Sequence, residues 1–288
     1  MHPIAFHLGS LTIRWYGVMT ALGFVAGVWT ANRRAARAGI APEKITDLAL
    51  WLIIGSLVGA RALYVITFWR EQFAANPFPE VFMIQHGGQV FYGGLIGASL
   101  AFILYSRLKK LPLWKGADIL APSIALGYFF GRIGCLLNGC CYGRICELPW
   151  AIRFPEGSDA YKQQLAEHLI GPDAAKALPV HPTEVYESLL SLGLYGFLAW
   201  LFRRRKFDGQ IFATYLVCYA VLRSFVEIFR GDYPPDQYFV GGRLTPAHLV
   251  SVAILLVGVA LFLLLPRKPG GTSERGSVRA SERGSGKA

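Results

Sequence analysis

The sequence predicts an all-α integral membrane protein with seven transmembrane helices. Its N-terminus is expected outside, its C-terminus in the cytoplasm, and a small folded cap on the outer face. Three observations carry this expectation. Apolar residues make up 53% of the 288 positions, and the mean hydropathy is +0.39. They come in seven blocks, roughly 16–31, 47–68, 89–106, 117–137, 183–202, 210–229 and 247–265. Each block is near the ~20 residues that a helix needs to cross a bilayer, whereas a soluble chain alternates polar and apolar faces.

The third observation is where the basic residues fall. Residues 32–46, 106–116 and 203–209 each hold four Lys or Arg, and the tail after 265 holds six more. These segments share one face if the seven blocks span in turn. The opposite face has eight, spread over longer connections. Cytoplasmic loops collect Lys and Arg, which sets the orientation. A net charge of +11 would point to nucleic acid in a soluble protein. Here the topology accounts for it, and no nucleic-acid partner is expected. The opening Met1–Arg14 has no basic run followed by an apolar one, so the first span is expected to act as its own insertion signal.

Taken in order, residues 1–266 read as one seven-span domain and 267–288 as a disordered basic cytoplasmic tail. The tail is rich in Gly, Ser and Arg and repeats SERGS at 273–277 and 281–285. Such a composition buries no core but is attracted to anionic membrane lipid. On the outer side one connection is long, about 139–182. Long loops in compact proteins tend to be functional. Ser158–Leu169 within it reads as a short amphipathic helix, so the segment is expected to fold as a cap.

Charges inside spans are costly, about 2.5–3.5 kcal/mol for an Arg at the bilayer centre, and are usually retained for a reason. Arg61, Arg132 and Arg223 are such charges, and Glu227 follows Arg223 by one helical turn. Arg223 and Glu227 could simply neutralise each other at i,i+4, with other arginines snorkelling to an interface. Yet Arg132 and Arg223 each begin a polar run toward the outer surface, Gly131–Arg144 and Arg223–Asp232. Guanidinium groups bind phosphate bidentately, so several converging there would make a phospholipid headgroup site. Three more clusters face the same side: Arg14–Gly17, His86–Gly97 and His181–Glu187. In the last, Thr183 reads as a helix N-cap with Pro182 as initiator.

Taken together, WYG at 15–17, GGLIG at 93–97, GRIGxxxNGxxxGR at 131–144, HPTxxYE at 181–187 and RxxxExFR at 223–230 resemble the prolipoprotein diacylglyceryl transferase family. The resemblance covers nearly the whole chain. It implies transfer of a diacylglyceryl group from phosphatidylglycerol to the lipobox cysteine of prolipoprotein signal peptides. The products are a thioether and glycerol phosphate, and no metal or organic cofactor is involved. It also implies a bacterial inner-membrane protein with its active site facing the outer leaflet. Residue by residue it implicates Tyr16, Arg132, Asn138, Gly143, Tyr219, Arg223, Glu227 and Arg230. Of these, Arg132, Asn138, Gly143, Tyr219 and Arg230 would bind phosphatidylglycerol.

The chemistry of the residues agrees. A thiol that displaces a phosphate ester needs anionic charge stabilised on the leaving group, which preoriented arginines do in a water-poor site. The substrate supplies the nucleophile, whose free pKa is about 8.5. The sequence departs from the family pattern at three positions. Before GGLIG the family often has His, a candidate base; here it is Tyr92, expected to donate to the headgroup. His86, in the same loop, is an alternative base. The Asn and acidic positions of the fourth-helix signature are Cys135 and Cys140.

Those cysteines support a rival reading. Cys135, Cys140, Cys141 and Cys146 fall within one short stretch, so the chain could instead be a membrane thiol-redox or metal-binding protein. A disulfide among them is the plainer possibility outside the cytoplasm. Their spacing fits a two-pair zinc site poorly.

Overall fold

The computed structural model describes residues 4–9, 11–73, 80–82, 87–232 and 245–265. His86 and the expected tail at 267–288 lie outside the described residues. A short hairpin, β1 (Ile4–Leu8) and β2 (Leu11–Arg14), leads into helices α1 (Trp15–Arg37), α2 (Pro42–Thr67), α3 (Phe91–Leu108) and α4 (Leu113–Asn138). There follow the short α5 (Asp159–Ala166) and then α6 (Thr183–Phe202), α7 (Gln210–Glu227) and α8 (Pro246–Leu264). Among the described residues, α2, α3, α4, α6 and α8 are long and apolar enough to cross a membrane. Helices α1 and α7, of 23 and 18 residues, reach the length but are less apolar. The chain is a mostly helical membrane protein, and the hairpin before α1 departs from the all-α expectation.

The helices pair α1 with α4, α2 with α3, α4 with α6, and α7 with α8, while α7 also meets α4 and α6. Helix α4 is thus central. Lipid supplies no hydrophobic drive between helices, so close contacts depend on small residues. Glycines of both helices serve this purpose between α2 and α3: a Cβ on Gly55 of α2 would stand 2.6 Å from the Cβ of Ala101, and one on Gly59 2.8 Å from the Cα of Gly97 on α3. Outward faces are apolar, as on α8, where Leu256, Leu263 and Leu264 are exposed.

Buried polar groups fix the ends. The Asp118 carboxylate on α4 accepts from the backbone N–H groups of Gly209, Ile211 and Phe212 at 2.9, 2.9 and 3.0 Å. The first N–H groups of a helix lack intrahelical partners, so this carboxylate caps α7 from another helix and sets its height. Arg34 is buried too, donating through Nε to the Ile119 carbonyl at 3.1 Å. Arg61 is a structural clamp: its guanidinium donates to the carbonyls of Val81, Gly87 and Gly88 at 2.9, 2.8 and 3.1 Å.

Between α4 and α6 the chain folds on itself around Tyr142, Phe154, Ala160, Tyr161, Ala177 and Val180. The expected helix at Ser158–Leu169 forms only as α5. Ser158 caps it, its Oγ accepting from the Tyr161 N–H at 3.2 Å. It stops early because the backbone at His168 turns left-handed, φ +58°. The start of α6 also differs from expectation. Pro182 occupies the N-cap position, and the Thr183 hydroxyl donates instead to the Cys141 carbonyl at 2.8 Å. Thr183 ties the helix to the preceding loop and does not cap it.

Candidate active site

Three helices bring their ionic side chains to one place. Glu187, in the second turn of α6, is nearly fully buried, with Oε2 2.6 Å from Nε of Arg132 on α4. Its Oε1 lies 3.1 Å from Nη1 of Arg223 on α7 and accepts from the Tyr128 hydroxyl at 3.3 Å. Arg132 donates through Nη2 to Tyr128 at 2.5 Å. Arg223 Nη1 also pairs with Glu227 Oε2 at 2.5 Å, one turn later on α7. The expected i,i+4 pair therefore exists, but it is one link in a longer chain. Glu227 Oε1 accepts from the Thr245 hydroxyl at 2.6 Å, which ties in the start of α8. Charges inside a membrane protein pair with one another and face the bundle interior.

The guanidinium groups keep free valence. Among the described residues Arg223 uses only Nη1 in ion pairs, leaving Nε and Nη2. Arg132 uses Nε and Nη2, leaving Nη1. A small, mostly apolar cavity with room for about one water lies beside Arg223, lined by Tyr128, Glu187, Ser191, Leu194, Tyr219 and Val226 among others. Tyr219 packs edge-on against Tyr128, ring centroids 5.8 Å apart.

Arg230 sits just beyond α7. Its fork holds Asp232, Nε to Oδ1 at 2.9 Å and Nη2 to Oδ2 at 2.5 Å, and Nε is 3.9 Å from Glu227. Gly143 pairs with it as an isolated bridge. The Gly143 N–H donates to the His181 carbonyl at 3.0 Å and the Arg144 N–H to the Phe229 carbonyl at 2.8 Å. This strand threads between the start of α6 and the end of α7. A Cβ on Gly143 would stand 2.5 Å from the His181 Cβ and 2.7 Å from the Phe229 oxygen, so no larger residue fits. Partial burial holds the His181 pKa below its usual value, which favours the neutral ring.

The structure thus brings Arg132, Tyr219, Arg223, Glu227, Arg230 and Gly143 together. Tyr16 opens α1 beside the end of α4, where a Cβ on Gly134 would meet its Cδ2 at 3.1 Å. Asn138 is the last residue of α4, followed by a left-handed Gly139. Tyr92 lies at the start of α3, half-exposed, with its ring against Phe91. The four clustered cysteines and Cys218 are free thiols.

Sequence reasoning missed Tyr128, Glu187, Glu184 and Thr245. Glu184 and Glu187 carried a signal, two carboxylates in an apolar 20-residue helix. The HPTxxYE motif was read as a helix start, and its acidic residues passed unassigned.

The family described as prolipoprotein diacylglyceryl transferase matches residues 3–264. Similar proteins carry the name phosphatidylglycerol–prolipoprotein diacylglyceryl transferase. That of Nitratidesulfovibrio vulgaris is 35% identical over 266 residues, covering 91% of this chain and 92% of the relative. That of Chromohalobacter salexigens is 33% identical over 268 residues, 93% of each. That of Clostridium tetani is 32% identical over 262 residues, 91% of this chain and 97% of the relative. These matches lend no support to a stand-alone thiol-redox protein. The chain belongs to the prolipoprotein diacylglyceryl transferase family.

Proposed function

We propose that this chain is an enzyme that moves the diacylglyceryl group of phosphatidylglycerol to the lipobox cysteine of prolipoproteins. The observation that carries the mechanism is the shared carboxylate of Glu187, which holds Arg132 at 2.6 Å and Arg223 at 3.1 Å. The carboxylate orients both guanidinium groups and leaves Arg132 Nη1 and Arg223 Nε and Nη2 for the phosphate. The acceptor thiol gives its proton to solvent water as its sulfur bonds to the glyceryl carbon, and the carbon–oxygen bond to phosphate breaks. The electron pair leaves on glycerol phosphate. Preorganised donors in a site shielded from water stabilise that charge without reorganising. Tyr219 and Tyr128 line the adjoining cavity. Glu227, Arg230 and Gly143 hold the end of α7 and the 143–144 strand in register.

The same reading places seven spans in the bacterial inner membrane, with the N-terminus outside, the 139–182 cap over the outer leaflet and a basic cytoplasmic tail. Its support is the loop charge, four basic residues in each of three short connections, together with Arg132, Arg223 and the cap at one end of the bundle. The test incubates purified protein with phosphatidylglycerol and a lipobox peptide. The expected result is a peptide heavier by one diacylglyceryl group with equimolar glycerol phosphate. Folded protein that leaves both substrates unchanged would refute the assignment.

A further inference from the structure

Cys135 and Cys140 meet across the end of α4. The helix closes on a left-handed Gly139, φ +81°. The N–H groups of Gly139 and Cys140 both donate to the Cys135 carbonyl, at 2.9 and 3.2 Å. A left-handed cap of this kind brings the side chain just past the helix onto the one five residues earlier, commonly as an apolar contact. Here both side chains are cysteines. Cys140 Sγ stands 3.8 Å from the Cys135 carbonyl oxygen, and the sulfurs of Cys135, Cys140 and Cys141 lie within 4.8 Å of one another. All three are free thiols, Cys135 buried and the other two half-buried.

The backbone separates the three possible pairings. Neighbouring residues have Cα atoms about 3.8 Å apart across a trans peptide, shorter than the roughly 4.4 Å at which ordinary disulfides begin. Cys140 and Cys141 are therefore a poor pair. Cys141 is drawn toward a different helix: its backbone is left-handed, φ +69°, and the Thr183 hydroxyl at the start of α6 donates to its carbonyl at 2.8 Å. Cys140 is instead tied to Cys135 by the cap itself.

We propose that Cys135 and Cys140 are a thiol–disulfide site, closed by exchange with a disulfide donor on the outer face, and that the bond staples the turn carrying Asn138. The half-buried Cys140 thiolate attacks one sulfur of the donor, whose other half leaves as a thiolate. The Cys135 thiolate then attacks the Cys140 sulfur and expels the second half. Two protein thiols are oxidised, the donor disulfide is reduced to two thiols, and the two protons pass to them. Thiols outside the cytoplasm meet such donors. The ring so formed encloses Asn138 and begins three residues after Arg132. Helix ends fray, and a bond across this last turn holds both residues in their packed positions.

The inference rests on the proposed orientation and on the transferase reading for its effect on lipid, but the bond is tested without activity. The full chain, purified in detergent and reduced, should have five alkylatable cysteines after denaturation. After exposure to oxidised glutathione it should have two fewer, with no glutathione retained. Fragmentation of the tryptic peptide spanning 133–144 should place the bond between Cys135 and Cys140, and C141S should lose the same two thiols. The oxidised protein should melt a few degrees higher than the reduced one, with a KM for phosphatidylglycerol severalfold lower. Five thiols remaining after oxidation overturn the inference, and so does a bond placed elsewhere in the peptide. Both results come from wild-type protein and need no variant to fold. The bond in place with equal KM in the two redox states overturns the staple and leaves the transferase reading standing. The bond and the raised midpoint without transfer in either state support the site and fail that reading instead.

Discussion

The Glu187 carboxylate lies 2.6 Å from Nε of Arg132, with 3% and 12% of the two side chains exposed. One acidic residue on α6 thereby governs a basic residue on α4, and the same carboxylate reaches α7 through Arg223. Removing one partner of a buried pair leaves an uncompensated charge and costs about 3–5 kcal/mol. Glu187→Gln is therefore expected to lower the thermal midpoint in detergent and to abolish transfer. Normal melting together with full activity would show that the pair orients nothing.

Arg132→Lys tests the fork. Lysine keeps the charge but cannot meet Glu187 and Tyr128 while also donating to phosphate, because it lacks the planar geometry. Loss of a charge-assisted hydrogen bond, about 1.5–3 kcal/mol, predicts a ten- to hundredfold fall in kcat/KM at unchanged protein level. Arg223→Lys should behave alike. Undiminished rates in both variants would remove the arginines from headgroup binding.

Gly143→Ala should inactivate by displacement. The added methyl meets the His181 Cβ at 2.5 Å, and overpacking of this kind costs about 1–3 kcal/mol. The strand must shift away from α6 and take Arg230 with it. Gly196→Ala, with nothing within 4 Å of the new atom, is the control. Equal activity in the two variants would contradict the bridge.

Asp118→Ala addresses stability at the far end of α7. Three backbone donors lose their acceptor, and each buried unsatisfied group costs about 1–3 kcal/mol. The variant should unfold earlier, with KM for phosphatidylglycerol raised because α7 carries Arg223. An unchanged melting curve would mean that water replaces the carboxylate.

Tyr92→Phe is expected to reduce transfer by about ten- to hundredfold if its hydroxyl donates to the headgroup. His86→Ala should matter less. A pH–rate profile governed by a group near 6.5 that disappears in His86→Ala would transfer the role of base to His86.

Apolarity is summed along the chain, so the helices were legible in the sequence. The block at 183–202 coincides with α6, and the one at 210–229 overshoots α7 by two residues. Contacts one turn apart on a single helix were legible as well, which is why Arg223 and Glu227 could be paired from their spacing alone. The family motifs located Arg132, Arg223 and Gly143 before any coordinates. Tertiary structure decided what spacing cannot: that Glu187 lies between Arg132 and Arg223, that Asp118 caps a helix 91 residues away, and that Arg61 clamps a loop. It also decided that the sulfurs of Cys135, Cys140 and Cys141 converge within 4.8 Å of one another. The reason is physical. Hydrophobic burial depends on composition and period, which a sequence carries, whereas an ion pair between helices depends on distances of a few ångströms. Those distances exist only once α4, α6 and α7 have packed.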